Sequence, residues 1–280
     1  MSVRVLVFDS GIGGLSVFGP LRAALPAADF VYVADDAAFP YGAWEEWALV
    51  EHVVRLMERL IAMHRPDIVV IACNTASTLV LPPLRERFTV PFVGTVPAVK
   101  PAAERSRSRL ASVLATPGTV KRDYTHALIA THGGDCAFTL VGSARLAAIA
   151  EAKLSGEVLD EAAIAAEIAP CFVAHDGRRT DTVALACTHY PFLLAEFEKL
   201  APWPVTFIDP APAIARRAVQ VLAEKGPAAP GGVAGGGTGL AVFTSGRAPS
   251  ASLARTLAGF GLAIAAPDAP PGFDKTAANL

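Results

Sequence analysis

The chain has 280 residues and a mass of 29.1 kDa, enough for one large domain or two modest ones with real cores. Its net charge of −2 disfavours a nucleic-acid partner, and the single basic run, Arg105-Ser-Arg107-Ser-Arg109, reads as a solvated face. Hydrophobic residues make up 52% and mean hydropathy is +0.42, yet no apolar run approaches the roughly 18 residues of a membrane span, and Met-Ser-Val-Arg leads into the first strand without a signal peptide, so a cytoplasmic protein with no membrane partner is expected.

Short apolar, β-rich runs alternate with amphipathic stretches. The first, residues 3–8, breaks into a glycine turn, Asp9-Ser10-Gly11-Ile12-Gly13-Gly14. That turn begins like the G-x-G-x-x-G phosphate fingerprint, but its third position is Ser16 and an acid precedes the first glycine. Asp35 comes too late to be the ribose-binding acid expected about twenty residues on. The glycines therefore read as letting backbone pass close to a small carboxylate, and a nicotinamide-dependent dehydrogenase is disfavoured. A strand at 30–34 runs into Asp35-Asp36 and the turn Pro40-Tyr41-Gly42. Residues 44–63 then carry a helical pattern, with Trp47, Val50, Val53, Val54, Met57, Leu60 and Ile61 on one face and Glu51 four residues before Arg55 on another.

Further strands are expected at 67–72, 90–93, 110–115, 138–141, 181–186, 205–208 and 240–243. Residues 224–239 read as a flexible Gly/Ala/Pro loop without catalytic side chains, and 267–280 as a loose tail. The alternation predicts an α/β fold with mainly parallel sheets flanked by helices. More strands are present than one compact sheet accommodates, so two lobes are expected.

One internal repeat stands out. D-I-V-V-I-A-C-N-T (67–75) and D-T-V-A-L-A-C-T-H (181–189) are both buried strands ending in Ala-Cys, each followed by a polar residue able to cap a helix. Ligands of open parallel sheets bind beyond the carboxyl ends of the strands, so Cys73 and Cys187 are placed at the functional edge of each half. A helix start there favours the thiolate. The other cysteines, Cys136 and Cys171, complete no CxxC pair, so neither a zinc site nor a disulfide framework is suggested.

Two facing thiols without a cofactor motif suit inversion of a stereocentre that bears hydrogen. One base removes the proton from one face, and a conjugate acid delivers another to the opposite face of the planar carbanion. An amino-acid α-hydrogen is a very weak acid, so donors must stabilise the developing enediolate; Ser10, Asn74, Thr75 and Thr188 are candidates at strand ends.

The segments F-D-S-G-I-G-G-L-S-V (8–17), P-Y-G (40–42), I-A-C-N-T-A-S (71–77), A-T-P-G-T-V-K-R-D-Y-T (115–125) and A-L-A-C-T-H-Y-P-F (184–192) resemble, in order and spacing, those of the glutamate racemase family within the cofactor-independent aspartate/glutamate racemase superfamily. The resemblance runs from about residue 3 to residue 220. It implies two pseudo-symmetric lobes, residues 1–96 with 209–280 and residues 97–208, closing on a site in the cleft between them. It implies that Cys73 and Cys187 are the two acid/bases, with Asp9 assisting the first and His189 the second, and Glu151 as a further acid near the second. It implies that Ser10, Pro40, Tyr41, Gly42, Asn74, Thr75, Thr116, Thr119 and Thr188 hold a glutamate substrate, with no cofactor and no metal. A homodimer supplying D-glutamate for bacterial peptidoglycan would follow.

His52, His64, His126, His132 and His175 lack such context and are expected to be surface or packing residues. The resemblance departs at both ends: the N-terminal extension some members use for activator control is not seen, and the last 55 residues match weakly. Racemases of aspartate or of hydantoins share the two-cysteine plan; the Thr-His after Cys187 and the intact Pro-Tyr-Gly favour glutamate. A non-catalytic two-lobed binder of small acids would need no thiol at either strand end.

Overall fold

The computed structural model describes residues 2–224 and 237–266. The predicted Gly/Ala/Pro loop, apart from its ends, and the predicted tail lie outside the described residues. In chain order the strands are β1 (Arg4–Asp9), β2 (Asp29–Ala34), β3 (Ile68–Ile71), β4 (Phe92–Gly94), β5 (Leu110–Ala115), β6 (Ala137–Gly142), β7 (Ala174–His175), β8 (Arg178–Arg179), β9 (Thr182–Ala186), β10 (Thr206–Ile208), β11 (Gly239–Phe243) and β12 (Ala263–Ile264). Every run expected from the sequence is among them.

Two parallel sheets result. The first has the order β12-β11-β2-β1-β3-β4, the second β10-β9-β5-β6. Both contain one four-strand unit, β2-β1-β3-β4 in the first and β6-β5-β9-β10 in the second, so the Ala-Cys repeat occupies equivalent strands, β3 and β9. The α/β architecture of two related lobes is therefore present, with the first sheet extended by β11 and β12.

Apolar residues on both faces explain why these strands are central. Along β1, Val5 and Val7 enter one core with Leu15, Phe18 and Leu21, while Leu6 and Phe8 enter another with Leu49, Val53 and Met57. The helix Ala211–Glu224 follows the last strand of the second sheet, yet Ile214, Ala215 and Ala218 pack into the first sheet's core. The chain thus returns to the lobe in which it began.

The long helix spans Glu46–His64, with Leu49, Val53, Leu56, Met57 and Leu60 as its buried face. That face is rotated from the predicted one. Trp47 is 68% exposed, and Val50, Val54 and Ile61 lie at the margin of the core. Leu49 and Leu56 take the inner positions because they align with Val53 and Leu60 at three- and four-residue spacing. Glu51 and Arg55 form the expected ion pair one turn apart.

Two elements were not expected. β7 and β8 form an exposed antiparallel hairpin whose Asp176-Gly177 turn has positive φ at both residues. Asp-Gly is a hairpin signal in its own right, but the flanking Ala-His and Arg-Arg carry no apolar alternation. β12 is two exposed residues held by pairing with β11.

Candidate active site

The carboxyl ends of β1, β2, β3, β5 and β9 converge on one cleft, and the sequence candidates lie there. Ala72 continues β3, and Cys73 is the N-cap of the helix Asn74–Arg87. The Ala76 N–H donates to Cys73 Sγ at 3.5 Å, and the thiol donates to Ser10 Oγ at 3.6 Å. Burial is the larger influence and the Asp9 charge adds to it. Together they push the Cys73 thiol up to about 12, although Ala76 and Ser10 pull the other way. At neutral pH this group is a protonated thiol, a proton donor.

Asp9, at the end of β1, is fully buried. Its Oδ2 accepts from the Gly14 N–H at 2.8 Å, and Thr188 Oγ1 donates to Oδ1 at 3.5 Å. Among the described residues no hydrogen bond joins Asp9 to Cys73; the two interact through charge. Burial raises the Asp9 carboxyl, opposed by the charge of His189 and the Gly14 N–H.

The second thiol is built differently. After β9, Cys187 is followed by a turn through Thr188 and His189 and then a 3-10 turn, Tyr190–Leu193. No α-helix begins directly behind it, contrary to expectation: the 3-10 turn comes first and runs straight into the helix Leu194–Leu200. A side chain replaces the helix start: His189 Nδ1 lies 3.7 Å from Cys187 Sγ, and Nε2 lies 2.7 Å from Glu151 Oε1. Burial opposes charging this imidazole, but the bonds to Cys187 and Glu151 outweigh it and hold His189 well above its usual range.

The glycine loop explains itself from this geometry. Glu151 Oε1, from the helix Leu146–Leu154, also accepts the Ile12 N–H at 2.9 Å, so it reaches from the second lobe to the loop of the first. A Cβ at Gly13 would lie 2.4 Å from His189 Nδ1, and one at Gly11 would lie 2.4 Å from Glu151 Oε1. The glycines make room for an imidazole and a carboxylate. Ser16 Oγ donates to the Thr188 carbonyl at 2.8 Å, a further bond between the lobes.

Polar groups able to hold a small acid line the same cleft. Asn74 is 3% exposed, and among the described residues both ends of its amide lack a partner. An unpaired buried polar group costs about 1–3 kcal/mol, so this amide is a candidate to bind a ligand. Thr75, Thr116 and Thr119 form a hydroxyl chain with two links of 3.1 Å, one of them crossing between the lobes. Gly42 is exposed and near Gly118, and Pro40 is exposed beside it. Tyr41 does not offer its hydroxyl to the cleft: it is buried and donates to Asp35.

Several contributors were not singled out from the sequence. Asp35 is fully buried and gathers Tyr41, Thr244 Oγ1 at 2.6 Å and His52 Nε2 at 2.6 Å. His52 is thus a partner of the Pro-Tyr-Gly support rather than surface or generic packing. The signal was its place on the inward-turning side of the helix, two turns beyond Glu45. Phe39 stacks obliquely on His189 with ring centroids 5.7 Å apart. Tyr32, read only as a strand residue, donates to the Gly11 carbonyl at 2.9 Å. Among the described residues no group of three or more His, Cys, Asp or Glu is disposed to hold a metal, and no helix is long and apolar enough to cross a membrane.

Comparison with known proteins bears directly on this site. The Asp/Glu/Hydantoin racemase family model matches residues 21–218. The chain is 58% identical over 261 residues to a glutamate racemase of Mesorhizobium japonicum, covering 93% of this chain and 98% of the relative. It is 56% identical over 262 residues to a glutamate racemase of Brucella anthropi, covering 93% of each. The crystal structure of Escherichia coli glutamate racemase in complex with L-glutamate and the activator UDP-MurNAc-ala superposes with a TM-score of 0.84 at 39% identity, covering 95% of this chain and 99% of that one. With two thirds of its length matched by the family model and relatives above half identity, the chain belongs to the Asp/Glu/Hydantoin racemase family and is an isomerase of the racemase class.

Proposed function

We propose that this enzyme interconverts L- and D-glutamate by proton transfer between two thiols, without cofactor or metal. The observation that carries the reading is the pair of Ala-Cys strand ends, β3 and β9, opening on one cleft with different proton-handling partners. The names of the relatives support glutamate as substrate, as do the Thr188-His189 pair and the Pro40-Tyr41-Gly42 turn.

In one direction the Cys187 sulfur, facing the His189 imidazolium, takes the α-proton. The electron pair left on the α-carbon delocalises into the substrate carboxylate as an enediolate. Cys73, held as a thiol, then gives its proton to the opposite face, and the chirality is inverted. The reverse reaction begins from the opposite protonation state. Asp9 biases Cys73 through charge, and Glu151 holds His189 in orientation and charge. Asn74, Thr75, Thr116, Thr119, Thr188, Ser10 and the Pro40–Gly42 turn bind the amino acid, Tyr41 by fixing the turn rather than by its hydroxyl. Donors aimed at a developing enediolate act strongest where water is excluded, and closure of residues 97–208 on residues 1–96 with 209–280 provides that exclusion. The product serves as a D-glutamate supply for peptidoglycan in the cytoplasm, and the working form is a homodimer.

The test is turnover in D2O without added cofactor. D-Glutamate formed from L-glutamate should carry deuterium at the α-carbon, and L-aspartate should turn over much more slowly. Product that keeps its protium would overturn the two-thiol mechanism, and preference for aspartate would overturn the substrate assignment.

A further inference from the structure

We propose that Tyr32 is a positioning residue for both proton-transfer arms, acting through the glycine loop; this rests on the two-thiol reading above. Tyr32 lies in β2 opposite Val7 of β1, is fully buried, and packs edge-on against Phe18 with centroids 6.0 Å apart. Its hydroxyl reaches the carboxyl edge of the sheet and donates to the Gly11 carbonyl at 2.9 Å. A Cβ at Gly14 would lie 3.1 Å from that oxygen and 2.7 Å from Asp9 Cβ, so the phenol, the loop and the carboxylate are in mutual contact.

The loop fixed by this bond has two outputs. Its Gly14 N–H donates to Asp9, whose charge acts on Cys73; its Ile12 N–H donates to Glu151, which holds His189 against Cys187. Both thiols are therefore tied to one four-residue stretch of backbone, and a glycine-rich stretch has little stiffness of its own. An anchor at Gly11 from the rigid sheet below supplies that stiffness. Burial, with the charge of Asp9 beside it, holds the phenol well above its ordinary value, so it remains a neutral donor over the working pH range.

The reaction allows a sharp test. The two enantiomers have equal free energy, so kcat/KM is the same in both directions and cannot by itself locate a defect on one arm. Primary isotope effects with α-deuterated L- and D-glutamate can. Tyr32→Phe keeps the ring and its packing and removes only the donor. Losing one well-placed hydrogen bond should lower kcat about tenfold in both directions while KM stays within about twofold. The isotope effect on kcat should rise for both enantiomers, because misplacement slows proton transfer rather than binding. Tyr32→Met, which fills the space without a donor, should show the same split. Leu253→Ala in the same core should lower Tm while leaving kcat and both isotope effects unchanged.

Unchanged kcat and isotope effects in Tyr32→Phe would overturn the proposal. So would a rise for one enantiomer only, a kcat loss reproduced by Leu253→Ala, or failure of both Tyr32 variants to fold. These outcomes are separate from failure of the two-thiol reading, which would show in the wild-type enzyme as product without solvent deuterium.

Discussion

The ends of β3 and β9 share a strand position, an Ala-Cys sequence and a neighbouring central strand, yet they treat their thiols differently. Cys73 is surrounded by a backbone N–H and a hydroxyl, with a buried carboxylate near enough to repel a second negative charge. Cys187 faces an imidazole that its bonds to Cys187 itself and to Glu151 hold well above the usual range. Folded symmetry places the two sulfurs; local partners give each a different setting, and in the proposed mechanism that difference assigns donor and acceptor. A single proton-poor thiol opposite a single proton-rich one is what inversion requires, since two thiols in the same state would leave no donor or no acceptor.

The strongest way to break this comparison is to remove one side. Cys73→Ala or Cys187→Ala should abolish racemisation, with residual turnover reduced by about 10⁴-fold or more, the scale of losing an essential group in the reacting set. The remaining thiol still addresses one face. Each variant should therefore wash the α-hydrogen of one enantiomer into D2O with retained chirality, and the two variants should select opposite enantiomers, as followed by NMR. Exchange of both enantiomers by either variant would refute the facing arrangement.

A smaller effect is expected at the charge supply of the β9 side. Glu151→Gln keeps an acceptor for the Ile12 N–H but removes the negative charge beside His189. The folded His189 is held up by its partners, so activity that needs the imidazolium is lost as pH rises through that raised value. In Glu151→Gln the alkaline limb should move to lower pH, with kcat down about 10- to 100-fold at neutral pH. The matching contribution to stability is fully present below the unfolded histidine value of about 6.5 and is lost as pH rises through the folded value. The gap in Tm between wild type and variant should therefore narrow on the alkaline side.

The smallest effect belongs to binding at the β3 side. Asn74→Ala removes an amide that has no partner among the described residues. KM for glutamate should rise about tenfold, the scale of one hydrogen bond to a charged ligand, while Tm holds or increases because a buried unpaired group is gone. A fall in Tm without change in KM would mean that the amide serves the fold.

Much of this was legible beforehand because the signals are local. The apolar runs that became β1 to β6 and β9 to β11 are short, bounded and rich in β-branched residues, which is how doubly buried parallel strands read. Chemistry-bearing residues sat directly after them, so the cleft could be assembled from strand ends alone. What escaped lacked such a signature. The β7–β8 hairpin carries no apolar alternation, and the inward face of the helix Glu46–His64 was decided by the sheet beneath it. The turn after Cys187 could not be told from a helix start, since a cap-like residue precedes both. Asp35 and Tyr32 looked like ordinary members of a strand and its exit.

The sequence alone was sufficient for the α/β class, the paired strand-end thiols and the roles open to them, because strand period, glycine and cysteine placement act within a few residues. Only the tertiary structure could decide that Glu151 crosses 38 positions of chain to reach His189, that the glycines of the first loop make room for both, and that Tyr41 turns inward to Asp35. The first two depend on distances between elements far apart in the chain, and the third on how the turn packs on the sheet and helix beside it. Contacts of loops and helices across and within the lobes set them, and no local pattern encodes that.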